Sequence, residues 1–297
     1  MAETRARPVD RVVGGYLVVS SLALAAPHRP TAWPVLFLVH LIVAWGLLSG
    51  TVAFLRSIVG RDTATARGRA GRVWRLLADW YPLLFLPLLY WELPVLGSAI
   101  WGGHYFDVLV QGWETAVFGG QPAITLAERW PSLLVSEPLH FFYLSYYPIL
   151  YVFPVLVYLR RGREAFYDTL FAMMLGFAVH YLVFTAFPVK GPYFVFPAPG
   201  EPQSAGPMYQ TVQWALATGA SAGTAFPSSH VALSVVQTMN AIRHYRPAAP
   251  VLAVCTVGIM AGAVYAGIHY AIDVVVGLVT GLAVALVEPR LRRRLKS

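Results

Sequence analysis

Long apolar runs and short polar connections alternate along the chain. A run of about 17 to 25 apolar residues is long enough to cross the hydrocarbon layer of a bilayer as a helix. We predict about eight such helices, which span residues 12–27, 33–55, 80–101, 137–159, 165–187, 228–243, 250–268 and 270–288. The pattern therefore predicts an all-α fold, a polytopic transmembrane helical bundle.

Two connections are much longer than the others, residues 102–136 and 188–227. The first contains "HYFDVLVQGWETAVF", in which aromatic and polar residues mix as they do in a helix that lies in the membrane interface. An ordinary amphipathic cap over the bundle is the simpler alternative. The second contains "FPVKGPYFVFPAPGEPQSAGP", in which prolines and glycines exclude a regular helix. A connection of this length usually has a function.

Composition agrees with a membrane protein. Hydrophobic residues make up 57% of the chain and charged residues 12%, whereas soluble domains contain roughly 25% charged residues. The net charge of +8 comes from arginines in short connections, as expected beside anionic lipid, and does not indicate a nucleic-acid surface. The single cysteine, Cys255, excludes an intrachain disulfide and a cysteine-based metal site.

The arginine clusters orient the bundle. If the predicted helices alternate in direction, one side receives the clusters Arg5 to Arg11, Arg56 to Arg75, Arg160 to Arg163, Arg243 to Arg246 and Arg290 to Lys296. The positive-inside rule makes that side cytoplasmic, with both termini there and both long connections outside. Arg29 and Arg129 are the exceptions. We expect an integral protein of a bacterial-type plasma membrane. A cleaved signal peptide is the alternative for the first helix, because Ala23 and Ala25 have the spacing of a cleavage site.

Two polar clusters reach the outer side in this topology. His230 begins one predicted helix, and the chain returns to that level at His269 after two passes of about 27 Å, at 1.5 Å per residue. Asp273 follows in the spacing H-x-x-x-D, so the two side chains share a face if the last helix already begins there. A carboxylate that holds one imidazole nitrogen leaves the other free as a nucleophile.

A helix start precedes His230. Pro227, Ser228 and Ser229 are typical of a helix N-terminus, whose free amides and dipole bind anions. Lys190, in "FPVKGPYF", is the only lysine predicted on the outer side. A cation beside two histidines and a helix N-terminus indicates phosphoryl chemistry, in which positioning and charge neutralisation dominate.

These motifs resemble those of the type 2 phosphatidic acid phosphatase superfamily, whose pattern is K-x6-R-P, then P-S-G-H, then S-R-x5-H-x3-D. "FPSSHVALS" is similar to the second motif, with Ser229 in place of glycine, and "GAVYAGIHYAIDVVVG" is similar to the third. The resemblance covers roughly residues 165–288. It implies a six-helix phosphatase-type catalytic core within residues 76–297, preceded by N-terminal membrane helices and a basic cytoplasmic loop in residues 1–75.

The resemblance implies a role for each catalytic residue. His269 would attack phosphorus and carry a phosphohistidine, while Asp273 would orient its ring. His230 would protonate the leaving alkoxide and later activate the acceptor, which is the two-step logic of covalent catalysis. No metal and no cofactor is implied.

The same resemblance implies a phosphate-binding set. Ser228, the backbone amide of Ser229 and the side chain of Lys190 would bind phosphate oxygens. Residues beside the motifs are further candidates for substrate binding, namely Gly191, Tyr193 and Tyr265.

Two arginines of the family pattern are absent. Pro197 and Ala198 stand where the first motif has Arg-Pro, and Gly262 and Ala263 stand where the third has Ser-Arg. The pattern is closer to the inositol phosphorylceramide synthase and sphingomyelin synthase branch, which likewise has HY-x-x-D without that arginine. "WETAVFGGQP" also resembles a stretch of the former. That branch transfers a phosphoryl headgroup from a lipid to an alcohol, and a phosphodiester carries less negative charge than a monoester.

We therefore expect an enzyme that cleaves a membrane lipid phosphoester at the outer face, with an alcohol or water as acceptor, the bilayer as partner and no nucleic acid. Hydrolysis of a lipid or polyprenyl monophosphate is the alternative within the enzyme class. A transporter with a histidine proton relay and a binding protein on a degenerate catalytic fold are alternatives from other classes.

Other polar residues lie within the predicted helices. Three of them are ionisable, namely Glu92, His140 and His180. Intramembrane ionisable residues are functional candidates by default, and hydrogen bonding between helices is the alternative. Tyr143, Tyr146 and Tyr147 line a headgroup pocket in one interpretation and form an aromatic belt in the other.

Overall fold

The computed structural model describes residues 6–53 and 69–296, and every regular element in these ranges is a helix. The α-helices in chain order are α1 (Pro8–Leu24), α2 (Trp33–Leu48), α3 (Arg69–Trp91), α4 (Leu93–Trp101), α5 (Asp107–Phe118), α6 (Pro122–Arg129), α7 (Leu133–Leu144), α8 (Tyr146–Ala186), α9 (Pro192–Val195), α10 (Pro207–Gly219), α11 (Ser229–His244), α12 (Ala249–Tyr265) and α13 (Ala271–Lys296). A short 3-10 helix, Arg246–Ala248, precedes α12. The all-α prediction is confirmed.

Four helical segments are long and apolar enough to cross a membrane, which supports an integral membrane protein. They are Leu76–Trp101, Leu133–Ala186, Arg246–Tyr265 and Ala271–Lys296, and α2 is a shorter apolar helix. The predicted number of about eight crossings stays a prediction. The predicted helix 33–55 ends earlier, because α2 stops at Leu48. Its last residues and the arginines Arg5, Arg56, Arg61 and Arg67 lie outside the described residues.

Gly162 divides the longest helical segment into two antiparallel parts. Its φ of 83° and ψ of −177° are not helical, so α8 bends sharply there. Tyr146 in the first part and Tyr181 in the second part line the same cavity, which a straight helix of this length would not allow. The predicted pair of helices, 137–159 and 165–187, corresponds to these two parts, with α7 continuing the first.

The predicted helix 80–101 is interrupted at Glu92, between α3 and α4. Pro94 has no N–H to continue the hydrogen-bonding pattern of α3. The carbonyl of Glu92 instead accepts from the amides of Val95 (2.9 Å) and Leu96 (3.0 Å), which begins a new helix. The interruption places the Glu92 carboxylate among α1 and α2, where it contacts His40.

Both long connections contain helices. The first holds α5 and α6, where one interfacial helix was predicted. The second holds α9 and α10, neither of which was predicted. The exclusion of a regular helix from the Pro- and Gly-rich stretch was wrong for the single turn of α9, because Pro192 stands in its first turn, where no N–H is needed. Pro207 occupies the first turn of α10, and the carboxylate of Glu137 accepts from the amides of Met208 and Tyr209, so the free amides of this helix are satisfied from α7.

Helix α11 lies at the centre of the bundle, packed against α8, α12 and α13. Ion pairs hold the helices together at the end where α11 finishes, for example Arg243 with Glu288 (3.2 Å). Helix α13 continues past the predicted end at residue 288, because Arg292 pairs with Glu288 and Asp168. The end where α11 begins carries the motif residues.

Candidate active site

Three segments that are distant in sequence meet where α11 begins. We call them the first, second and third motif segments, residues 188–191, 224–230 and 265–273. The amide of Ala225 donates to the carbonyl of Val189 (3.0 Å), and the amide of Ser228 donates to the carbonyl of Asp273 (3.0 Å). Val189, Ala225 and Tyr270 also share one small buried cluster. Backbone hydrogen bonds and packing therefore fix the three segments against one another.

His230 and His269 face each other across this junction. Nδ1 of His230 lies 3.1 Å from Nε2 of His269. On its other side, Nε2 of His230 lies 3.1 Å from the hydroxyl of Tyr143. Tyr143 therefore lies at the histidine pair. From the sequence, an aromatic belt at the membrane interface was the commoner explanation for this residue.

Asp273 lies behind His269 in the first turn of α13. Its Oδ2 is 3.5 Å from Nδ1 of His269 and accepts from the amide of Tyr270 (2.8 Å). Helix α13 begins only at Ala271, so His269 lies in the turn before it, and the two side chains nevertheless meet. Burial lowers the pKa of His269, and the adjacent His230 lowers it further. The imidazole of His269 is therefore neutral at pH 7, as a nucleophile requires.

Lys190 lines the same cavity as the two histidines. Its ammonium lies 4.6 Å from the centre of the Tyr105 ring, a cation–π contact that holds the side chain. Gly191 does not line this cavity. It has a φ of +90°, and a Cβ there would lie 2.9 Å from both the Ala225 Cβ and the Ile268 carbonyl oxygen. The absence of a side chain at Gly191 therefore lets the three motif segments approach closely.

The two serines before His230 have different surroundings. Ser229 lines the cavity. Ser228 is fully buried, and its hydroxyl accepts from the amide of Val231 (3.4 Å) as the N-cap of α11. The Ser228 hydroxyl is therefore committed to the helix start, which fixes the direction of the His230 side chain.

The two candidate tyrosines, Tyr193 and Tyr265, lie in different places. Tyr193 lines the cavity with the histidines and a second, neighbouring cavity. Tyr265 lines only the second cavity, and its hydroxyl donates to the carbonyl of Trp130 (2.8 Å). The structure thus brings Tyr193, but not Tyr265, to the histidine pair.

The cavity is lined mainly by aromatic and aliphatic side chains. Its tyrosines are Tyr90, Tyr143, Tyr146, Tyr147, Tyr151, Tyr181 and Tyr193. One wall runs between α3 and the first part of α8, where Trp91 is 67% exposed and Tyr147 is 40% exposed. Among the described residues that line the cavity, Lys190 is the only lysine or arginine. The site therefore combines one cation with a mainly apolar chamber.

The other intramembrane ionisable residues lie elsewhere. His180 pairs with the Gly176 carbonyl (2.8 Å) and with Thr280 Oγ1 (3.1 Å), which is hydrogen bonding within and between helices. His140 pairs with the carbonyl of Ser136 (2.7 Å). His40, the partner of Glu92 at 2.9 Å, was not predicted, because it is isolated within an apolar run.

One of three comparisons with known proteins identifies the family of the chain. Neither the curated proteins nor the solved structures contain a match to the chain. A family model described as the PAP2 superfamily matches residues 124–287, which is more than half of the chain and includes Lys190, both facing histidines and Asp273. This superfamily covers phosphatases and phosphotransferases that act on lipid phosphoesters. By the extent of this match, the chain belongs to the PAP2 superfamily.

Proposed function

We propose that this protein transfers the phosphoryl headgroup of a membrane phosphodiester lipid to an alcohol, through a phosphohistidine at His269. The observation that carries the proposal is the cavity itself. The facing histidines and Asp273 supply a nucleophile and a proton carrier, and Lys190 supplies a single positive charge beside them. The nearest family activity is headgroup transfer of the inositol phosphorylceramide synthase type.

The first step forms the covalent intermediate. A proton on Nδ1 of His269, facing Asp273, leaves the lone pair of Nε2 free to attack phosphorus. The bond from phosphorus to the leaving lipid oxygen breaks as the N–P bond forms. His230 becomes protonated when the anionic phosphate binds beside it, donates its Nδ1 proton to the leaving oxygen and returns to the neutral form, while Tyr143 holds its other nitrogen.

The second step releases the headgroup to the acceptor. Neutral His230 removes the proton of the acceptor hydroxyl, whose oxygen attacks phosphorus. The N–P bond breaks and His269 returns to its neutral form. The proton that His230 gave to the leaving group is thereby recovered from the acceptor, so the cycle balances.

The charge of the site favours a phosphodiester over a monoester. A monoester carries close to two negative charges at neutral pH and a diester carries one. Lys190 neutralises one charge, and no other lysine or arginine among the described residues lines the cavity. An unneutralised second charge in an apolar chamber is costly.

The shape of the cavity supports a lipid substrate. The wall between α3 and the first part of α8 is apolar, and Trp91 and Tyr147 are exposed on it. An acyl chain entering there would remain among apolar side chains while the phosphate reached Lys190. We further propose about eight crossings, with both termini in the cytoplasm and the site at the outer face. Among the described residues, Arg161, Arg243 and Arg292 lie at the end where α11 finishes, opposite the motif segments, and the positive-inside rule makes that end cytoplasmic.

The test is turnover by the purified protein in lipid nanodiscs. Candidate diesters, such as phosphatidylinositol, and candidate monoesters, such as phosphatidic acid, are each supplied with and without ceramide or diacylglycerol. We expect an acceptor-dependent product that carries the headgroup, and none from His269→Ala.

Release of free phosphate from monoesters without any transferred headgroup would reject the transferase and favour a lipid phosphatase. Equal activity of the wild type and His269→Ala would reject the phosphohistidine mechanism. Labelled substrate trapped on His269 in the wild type provides direct evidence for the intermediate.

A further inference from the structure

We propose that α5 positions the catalytic residues, with Asp107 placing Lys190 for substrate binding and Glu114 placing His269 and Asp273 for the chemical step. The inference rests on the proposed function and adds two positioning residues to it. Neither carboxylate lines the histidine cavity. Both act through the backbone of the motif segments. Because Asp107 holds the segment of Lys190 and Glu114 holds the start of α13, we expect their substitutions to affect turnover differently.

One face of α5 carries the polar side chains that contact the motif segments. Asp107, Val110, Gln111 and Glu114 are spaced by three or four residues, so they form one stripe along the helix. Glu114 and Val110 are fully buried. The opposite face is apolar and exposed: Leu109 is 47% exposed, and Gly112 and Ala116 are also exposed. Helix α5 therefore has one polar face turned to the motif segments and one apolar face turned outward.

Asp107 holds the first motif segment. Its Oδ2 accepts from the amide of Lys190 and its Oδ1 from the amide of Gly191, both at 2.9 Å. Oδ1 also accepts from the hydroxyl of Tyr270 (3.1 Å), which follows His269 directly. Two parallel hydrogen bonds to a carboxylate fix both the place and the direction of the backbone that carries the lysine.

Glu114 holds the start of α13. Its Oε1 accepts from the amide of Ala271 (3.0 Å) and its Oε2 from the amide of Ile272 (2.9 Å). These are free amides of the first helical turn, where a negative charge is favourable. Asp273 lies in that same turn and His269 immediately precedes it. The position of Glu114 therefore sets the position of the nucleophile and its orienting carboxylate.

The second motif segment contacts α5 as well. The Trp113 ring lies 5.8 Å from the Phe226 ring and stacks on Phe187 at 5.9 Å with an interplanar angle of 9°. Val110 packs in the buried cluster that contains one residue from each motif segment. One helix from outside the motifs thus contacts all three of them.

These contacts predict a division between binding and chemistry. Lys190 meets the phosphate charge in both ground and transition states, so a displaced Lys190 weakens binding and raises KM. His269 forms its bond only in the transition state, so a displaced nucleophile lowers kcat. A carboxylate with a purely structural role would change neither constant selectively.

The experiment compares Asp107→Asn and Glu114→Gln with the wild type in nanodiscs. Each substitution turns one amide-accepting oxygen into an NH2 group that opposes a backbone N–H. We expect Asp107→Asn to raise KM on the order of 10-fold with kcat within about 3-fold. We expect Glu114→Gln to lower kcat on the order of 10- to 100-fold with KM within about 3-fold. Glu164→Gln, at an exposed carboxylate in α8, is the matched control and should leave both constants unchanged.

Thermal unfolding of each variant reports folding independently. If either variant does not yield folded protein, Asp107→Glu or Glu114→Asp takes its place, because each keeps the charge and moves it by one methylene group. The positioning role would be overturned if all variants and the control had equal kinetics. It would also be overturned if both the Asp107 and the Glu114 variants showed the same combination of lower kcat, higher KM and lower melting temperature. Failure of the wild type to turn over any lipid phosphoester would instead reject the proposed function.

Discussion

Gly277 in α13 lies directly against the backbone of Ser228, so that a Cβ at Gly277 would be 2.5 Å from the Ser228 carbonyl oxygen. Ser228 is the N-cap of α11, two residues before His230. The closeness of α13 to the start of α11 therefore decides where the proton-carrying histidine lies.

Substituting Gly277 by alanine should separate these two helices. We expect Gly277→Ala to cost about 1–3 kcal/mol of stability, as overpacking in a close-packed interior does, and to lower turnover by displacing His230. Gly15→Ala is the matched control, because Gly15 also lies in a helix but a Cβ there meets no atom within 4 Å. Thermal unfolding and turnover are measured together. Unchanged values for Gly277→Ala would contradict the tight contact.

Removing the Tyr143 hydroxyl should weaken proton transfer by His230. Tyr143→Phe loses the hydrogen bond to Nε2 of His230 (3.1 Å) and keeps the ring. A hydrogen bond contributes about 0.5–1.5 kcal/mol, so we expect kcat to fall roughly 2- to 10-fold. Tyr158→Phe, whose ring packs on Trp80 and Phe166, is the control. A change in Tyr143→Phe no larger than in the control would exclude Tyr143 from the proton path.

A substrate that needs no proton on its leaving group should separate the two steps. With a nitrophenyl phosphodiester, His230→Gln should still release nitrophenol in a burst and then stall with phosphohistidine at His269. His269→Ala should give no burst. Rapid mixing followed by detection of the labelled protein distinguishes these outcomes. Full steady turnover by His230→Gln would show that this histidine does not activate the acceptor.

The pH dependence follows from the buried nucleophile. Burial, reinforced by His230, lowers the pKa of His269. The protonated form, which cannot attack, therefore appears only below the ordinary histidine value of about 6.5. With the nitrophenyl phosphodiester, whose leaving group needs no proton from His230, we expect the rate of phosphohistidine formation to stay constant as the pH falls through about 6.5 and to decrease only in more acidic buffer.

The lowered pKa of His269 also makes the stability of the fold depend on pH. Between the ordinary and the lowered pKa the unfolded chain binds a proton that the folded chain does not, so folding is less favourable as the pH falls through that interval. His104→Asn, at an exposed histidine, should leave the kinetic profile unchanged. An acid limb at or above the ordinary value would contradict the neutral, buried imidazole.

The sequence contained enough to predict the helical fold and several residues that line the cavity, including His230, His269 and Lys190. Apolar periodicity marks helices, and His230, His269 and Lys190 belong to recognisable motifs. The break at Glu92 was missed because Pro94 acts locally within a run that remains apolar. Helix α10 was missed because Glu137, from α7, supplies the partners for its first amides.

The roles of Asp107 and Glu114 were beyond the sequence for a related reason. Their partners are backbone amides 83 to 158 positions later in the chain. Because every residue except proline has such an amide, the amino-acid type at those positions does not reveal the contact. The only signal was the polar stripe on an otherwise apolar helix, which an ordinary amphipathic cap would also show.

The contact between Glu114 and Ala271 spans 157 positions. Ribosomes make the chain from its N-terminus, so α5 is synthesised long before α13. Until α13 arrives, the protein lacks Asp273 and the turn that presents His269. Under the proposed mechanism a chain without α13 cannot form the phosphohistidine, so catalytic competence would arise only at a late stage of translation.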